Sequence, residues 1–296
     1  MKKKIINGIV PILITPFDKK GKIDVNSLQN LIDFNINSGV HGLGVANGSE
    51  VFKLNEEERK LVTKTVVDHV AGRVPVVINT GASGTLLATQ YSKVAEEQGA
   101  DALMIIPPHF MPVGINEIID YYSTISSEVN IPIFLQDIPQ APISATLAIK
   151  LEKECKNISY IKVETLPTTD KIFEINKHTG NKFTIFGGAG GIYFIEEMRR
   201  GAKGTMPFCS LPKKFVEVWN LFQKGDEKLA QKSFDNFIAK VNKLEFQNSD
   251  LFYHFHKQFL VKLGVIESAY VRSPTMRIDS ITQYEIEKII EDLLIK

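Results

Sequence analysis

The sequence predicts one α/β domain, a (β/α)8 TIM barrel with a C-terminal helical extension, and three observations lead there. The chain has 296 residues, a length suited to α/β barrels, which commonly run to about 250 residues or more as one unit. Short β-rich apolar runs alternate with longer stretches whose apolar residues recur at helical spacing, the pattern of repeated βα units on a parallel sheet. Eight such runs can be counted, at residues 9–15, 42–46, 75–80, 102–106, 132–136, 158–162, 183–186 and 204–207.

Each element follows from local chemistry. Residues 1–17 are basic and then apolar, as a signal peptide would be, but Pro11, Pro16 and Asp18 interrupt them and no small-residue cleavage site follows. They read as the first strand. Several of the later runs lack polar alternation, as strands covered on both faces do. After the second run, Asn55 is an N-cap candidate, and Glu56, Glu57 and Glu58 place acids in a solvated first helical turn, where they complement the helix dipole. The stretch 84–98 closes at Gly99, a fitting residue for a left-handed helix end. Past the eighth run come helical stretches at 211–224, 227–244 and 251–263. A barrel needs only one of them, so the barrel covers about 1–224 and further helices about 225–296. No linker rich in Pro, Gly or Ser divides the two, which predicts a single packed domain.

An open doubly wound sheet would alternate in the same way, and the strand count favours the barrel. The Gly-rich segment 187–191 follows a strand and precedes a helix, but the sixth position of a G-x-G-x-x-G pattern begun at Gly188 is Tyr193. It reads as a tight βα loop at a site mouth, with Gly188 a substrate-contact candidate, and no nucleotide cofactor is implied.

Composition narrows the function. Hydrophobic residues make up 44% and charged residues 23%, with 18 Phe for a large core. Lys plus Arg, 35, nearly cancels Asp plus Glu, 34. No basic field exists to hold nucleic acid or an anionic membrane, so the ligand should be small. No apolar run approaches the roughly eighteen residues of a membrane span. Cys155 and Cys209 fit no metal or redox spacing, and so few thiols suit a reducing cytoplasm. His254 and His256, two apart on a helix, do not face one another as a metal pair would. His109 reads equally as a substrate contact or a surface side chain. No metal is suggested.

In such a barrel the site lies at the carboxyl ends of the strands, so polar residues ending apolar runs are the candidates. These are Lys162, then Gln136 with Asp137, then Asn47, Gly48, Ser49 and Glu50. A lysine there is costly unless it meets solvent or a partner, and burial favours the neutral amine, the nucleophile that condenses with a ketone. Position alone leaves open a structural pair with Glu164.

Five segments carry a resemblance: Gly8-Ile-Val-Pro-Ile-Leu-Ile-Thr-Pro-Phe17, Gly42-Leu-Gly-Val-Ala-Asn-Gly-Ser-Glu50, Ile105-Ile-Pro-Pro108, Pro132-Ile-Phe-Leu-Gln-Asp-Ile-Pro139 and Tyr160-Ile-Lys-Val-Glu164. In order and spacing the chain resembles the dihydrodipicolinate synthase and N-acetylneuraminate lyase family over nearly its whole length. The resemblance implies a Schiff base at Lys162, a pyruvyl carboxylate held by backbone amides at Gly48 and Ser49, a 2-oxo acid substrate and a homotetramer. Departures are as informative. Asn47, Phe110 and Gln136 stand where family aldolases and synthases have hydroxyl-bearing relay residues, and Ala141 stands where synthases have a carboxylate-binding arginine. A glutamine amide is no general acid or base near neutral pH.

The combination Ala-Asn-x-Ser-Glu, Gln-Asp-x-Pro and Lys-x-Glu-Thr, with the segments 257–267 and 272–274, resembles the family's 2-keto-3-deoxy-L-arabonate dehydratases. That implies a cytoplasmic hydro-lyase. Glu50, Ser49 and Asn47 are then expected near the departing C4 hydroxyl, and Glu164 beside the lysine on the same side of the strand. Asp137 and Gly188 are expected to line the substrate pocket. A pyruvate-dependent aldolase or condensing enzyme is the rival within the family, and a non-catalytic 2-oxo acid binder the rival outside it.

Overall fold

The computed structural model describes residues 5–111 and 113–295; the basic residues 2–4 that begin the first apolar segment lie outside them. Eight parallel strands run β1 (Gly8–Ile9), β2 (Leu43–Val45), β3 (Val76–Asn79), β4 (Ala102–Ile105), β5 (Ile133–Asp137), β6 (Ile158–Val163), β7 (Thr184–Gly187) and β8 (Gly204–Thr205). Their order in the sheet is β1-β8-β7-β6-β5-β4-β3-β2. The ring closes just beyond β1, where Ile12 bridges both Gly44 and Phe208. Gly44 permits this closure, because a Cβ there would lie 2.6 Å from Ile12 Cδ1.

Helices alternate with the strands: α1 (Val25–Asn37), α2 (Glu56–Val70), α3 (Thr85–Glu97), α4 (Ile115–Glu128), α5 (Ala145–Glu154), α6 (Thr168–Thr179), α7 (Phe194–Arg199) and α8 (Pro212–Gln223). Capping sets their starts. Asn55 accepts from Glu58 N, while Glu58 reaches back to Asn55 N, a reciprocal capping box at α2. Gly84 caps α3, and Gly99 follows its end at a φ of 96°. The extension is α9 (Glu227–Asn236), α10 (Ile238–Glu245), α11 (Leu251–Lys262) and α12 (Ser280–Ile295).

One expectation needs correction. The stretch 227–244 is not one helix, since Phe237 leaves helical geometry (φ −124°, ψ −66°) between α9 and α10. The stretches delimited one by one end at residue 263, and α12 fills the rest of the helical region expected to about 296, its buried stripe Ile286, Ile290 and Leu293 packing on the extension. With Ile289 partly buried beside them, the apolar positions recur at i, i+3, i+4 and i+7.

Two cores result. A large outer one lies between strands and helices, and an inner one fills the barrel with Val77, Met104, Phe134, Tyr160, Phe186 and Met206 among others. Phe134 stacks on Tyr160 at 4.4 Å between ring centres, and Tyr160 Oη accepts from Ile6 N. This plug leaves the carboxyl ends of the strands as the place for a ligand. No helix among the described residues is long and apolar enough to cross a membrane.

Candidate active site

A cavity of about 420 Å³ opens at the carboxyl ends of the strands. Lys162, Glu164, Gln136, Asn47 and Gly48 line it from the βα side, and Glu245, Ser249, Phe252 and Tyr253 from the C-terminal extension.

The sheet register builds the centre. Gln136 on β5 pairs with Lys162 on β6, which pairs with Phe186 on β7. Lys162 is 5% exposed. Its Nζ lies 3.0 Å from Glu164 Oε1, which also accepts from Ala189 N at 3.1 Å. Gln136 Nε2 donates to Glu164 Oε2 at 3.3 Å, and Gln136 Oε1 accepts from Asn79 Nδ2 at 3.3 Å. Both carboxylate oxygens of Glu164 are thus committed, and the amine is held at one point beneath the cavity. The lysine–glutamate pair and a reactive lysine are not exclusive readings, because a partner that fixes a buried amine also orients it.

Gly188 makes this packing possible. A Cβ on it would sit 2.9 Å from Lys162 Cε and from Glu164 Cδ, and nearer still to Glu164 Cγ. Past it the loop turns through the left-handed region at Ala189, Gly190 and Gly191 (φ 48°, 66° and 75°), and Ala189 and Gly190 reach the cavity wall.

Four expected site residues do not line the cavity: Gly188, just described, and Glu50, Asp137 and Ser49. Glu50, left-handed at φ 56°, is fully buried and pairs with Lys257 Nζ and, at 3.3 Å, with Lys53 Nζ. It does not line the cavity, and the turn after Ser49 swings its side chain under the extension. Asp137, also fully buried, accepts from Ile143 N, Thr165 N, Thr165 Oγ1 and Lys171 Nζ. It ties the end of β5 to the loop after β6 and does not line the cavity. Ser49 Oγ donates to Leu13 O and accepts from Ala46 N, while its own amide donates to Ala46 O. The expected anion contact from Ser49 is therefore committed inside a 3₁₀ turn, Asn47–Ser49. The amides of Asn47 and Gly48 are at the open N-terminal end of that turn, where helical N–H groups lack partners within the turn.

Phe110 is 79% exposed and His109 is also exposed, both on the loop after β4 and away from the cavity lining. Ala141 packs in a small buried cluster with Ile106 and Ile138. Cys155 and Cys209 are buried. His254 bonds Thr275 Oγ1, whereas His256 lies in the core against Ser210 and Glu245.

Tyr253 and Glu245 were missed. Tyr253 Oη donates to Asn47 O at 3.1 Å, and burial, with the charges of Glu50, Asp250 and Glu164 adding to it, pushes its phenol well above the ordinary range. It keeps its proton near neutrality. Neither residue belongs to a βα loop or a spaced motif, so their signal is purely tertiary.

A closed barrel whose mouth sets a buried amine against a carboxylate, beneath a cavity sized for a small molecule, defines a TIM-barrel enzyme that acts on small molecules. The chain belongs to the dihydrodipicolinate synthetase family, whose pattern it matches over residues 5–293, and family members are lyases. An L-2-keto-3-deoxyarabonate dehydratase of Azospirillum brasilense is 28% identical over 286 residues, 94% of this chain and 92% of that one. A 4-hydroxy-tetrahydrodipicolinate synthase of Aquifex aeolicus (strain VF5) is 31% identical over 233 residues, 77% and 78% of the two chains. The crystal structure of dihydrodipicolinate synthase from Aquifex aeolicus superposes with a TM-score of 0.90 over 98% of each chain, at 27% identity.

Proposed function

We propose that the protein is a hydro-lyase that dehydrates a 2-keto-3-deoxy sugar acid, of the 2-keto-3-deoxy-L-arabonate type, through an imine on Lys162. The observation that carries this reading is the amide of Gln136, in register with Lys162 and bonded to Glu164. Aldol chemistry needs a group there that gives and takes a proton, and an amide does neither near neutral pH.

Lys162 Nζ adds to the C2 carbonyl and water leaves, which acidifies C3. Removal of a C3 proton gives an enamine, and its electron pair expels the C4 hydroxyl, which departs with a proton as water. Loss of a C5 proton and reprotonation along the chain turn the C5 alcohol into an aldehyde, and hydrolysis frees Lys162. The balance is one substrate to one semialdehyde and one water. The substrate carboxylate fits the amides of Asn47 and Gly48, and Glu164 is the carboxylate placed to orient the amine and exchange protons beside it. Ala141, buried and apolar, offers no hold for the second carboxylate that a condensing enzyme must grip.

Pyruvate-dependent aldol chemistry is the second reading, favoured by Tyr253, which lines the cavity with its hydroxyl bonded to Asn47 O. Incubation with 2-keto-3-deoxy-arabonate separates the two. Accumulation of 2-oxoglutarate semialdehyde with little pyruvate supports the dehydratase; efficient release of pyruvate, or robust condensation of pyruvate with aspartate semialdehyde, refutes it. Borohydride reduction in the presence of pyruvate, read by mass spectrometry, tests the imine itself and with it the non-catalytic alternative.

A further inference from the structure

Opposite the βα loops, the cavity wall contains a second polar group that the mechanism above does not use. Glu245, the last residue of α10, lines the cavity although it is buried. Behind it runs a chain of polar contacts through the core. His256 Nε2 meets Glu245 Oε1, and His256 Nδ1 lies 2.8 Å from Ser210 Oγ. Ser210 and His256 Nδ1 share a hydrogen bond, and the other face of the ring turns Nε2 toward the Glu245 carboxylate as a charged contact. The imidazole is fully buried and boxed by Phe208 at 4.5 Å, Phe252 at 4.6 Å and Phe255 at 5.3 Å between ring centres. Ser210 is buried and does not line the cavity, so the chain is no nucleophile–base pair. Its working end is the carboxylate.

One turn earlier on the same face of α10, Asn242 is 1% exposed, and neither atom of its amide has a partner among the described residues. Both side chains meet the loop at Gly190, where a Cβ would lie 2.6 Å from Asn242 Oδ1 and 3.6 Å from Glu245 Oε2. A buried amide without partners is destabilising, and a ligand or a bound water can recover that cost. Gly188 touches Lys162, and Gly190 touches this pair. Two residues of chain span at most about 7 Å, a distance comparable to a five- or six-carbon acid anchored at C2.

We propose that Glu245 forms the subsite for the distal hydroxyl groups of the substrate, with Asn242, buried behind the Gly190 loop and outside the cavity lining, beside it, and with His256 and Ser210 as positioning residues that hold Glu245 Oε1 and leave Oε2 to the ligand. The inference rests on the sugar-acid reading and sharpens it. Lys162 is the only cation lining the cavity among the described residues, and imine formation occupies it. A carboxylate at the far end then accepts from alcohols and repels a second carboxylate. The substrate class is therefore a 2-keto-3-deoxy acid ending in hydroxyls, not a dicarboxylate.

The test uses the full chain. Glu245→Ala should raise KM for 2-keto-3-deoxy-arabonate about 10- to 100-fold, the loss of a charge-assisted hydrogen bond, with a smaller change in kcat. Glu245→Gln, which keeps the shape and removes the charge, should improve kcat/KM for a 2-keto-3-deoxy aldaric acid relative to the arabonate. His256→Phe should raise KM in the same direction as Glu245→Ala. Competition by the sugar acid against borohydride trapping of pyruvate on Lys162 reads the subsite without requiring dehydration. If competition weakens about tenfold or more in Glu245→Ala while no semialdehyde forms on the unaltered enzyme, the subsite stands and the dehydratase reading falls. Unchanged competition, KM and substrate preference in both Glu245 variants would overturn the subsite whatever the reaction proves to be.

Discussion

Gly188→Ala is the most economical probe of the centre, because it adds one carbon and touches no reacting atom. Its Cβ would stand 2.9 Å from Lys162 Cε and from Glu164 Cδ, and nearer to Glu164 Cγ. Ordinary carbon contacts lie at about 3.5–4.0 Å, so the lysine stem must recede by at least about 0.6 Å and the glutamate by more. The shift acts on three contacts of Glu164 at once: Lys162 at 3.0 Å, Ala189 N at 3.1 Å and Gln136 Nε2 at 3.3 Å. Displacements near 1 Å at a reacting group cost on the order of 10²-fold in rate, whereas overpacking one methyl costs about 1–3 kcal/mol of stability. The expected outcome is a protein that still unfolds cooperatively, with its Tm lowered by several degrees and Lys162 trapped by pyruvate and borohydride roughly 100-fold more slowly. Trapping at the unaltered rate would refute the claim that Gly188 sets the position of the amine.

Three further outcomes follow from the packing. Lys162→Ala should abolish borohydride trapping and turnover while leaving the circular-dichroism spectrum and Tm close to the parent; full trapping in that variant would place the imine elsewhere. Lys257→Met leaves Glu50 buried with Lys53 as its remaining ion-pair partner among the described residues, and urea unfolding should show a loss of about 3–5 kcal/mol, partly restored by adding Glu50→Gln. A change below about 1 kcal/mol would deny that the pair is a structural clamp. Burial pushes the Glu197 carboxyl up to about 8, with Thr168 Oγ1 donating to its Oε1. Its folded pKa exceeds the unfolded one, so its contribution to stability is complete below about pH 4.5 and is lost as pH rises through about 8. Glu197→Gln does not titrate and should gain on the parent by a few kcal/mol between pH 5 and pH 8; parallel stability profiles would contradict this.

Much of the barrel could be read from residues because each βα unit carries its own signal. Val76–Asn79 and Ile133–Asp137 are apolar runs of strand length, and Asn55 with Glu58 forms a complete helix start within four residues. Lys162 and Gln136 were legible for a related reason: a polar residue at the end of an apolar parallel strand lies near the mouth of the barrel. What a side chain does after leaving the strand depends on partners far along the chain. Asp137 looked like a ligand contact and is consumed by Lys171, 34 residues on. Glu50 is consumed by Lys257, and Tyr253 and Glu245 enter the cavity only because α10 and α11 fold back over it. Spacing rules see neighbours within a turn or a strand and are blind to such returns.

The separation of Glu50 and Lys257 by 207 residues has a consequence for synthesis. Chains emerge N-terminal end first, and domains assemble as they appear. A nascent barrel that has made all eight strands still has the buried carboxylate of Glu50 without its second cation, and its cleft lacks the wall formed by Tyr253 and Glu245. Exposure of the last strand therefore does not produce a settled protein. Only when α11 has cleared the ribosome can Lys257 reach Glu50 and the cleft close, and the two occur together, so a truncated chain lacks the clamp and the cavity wall at once.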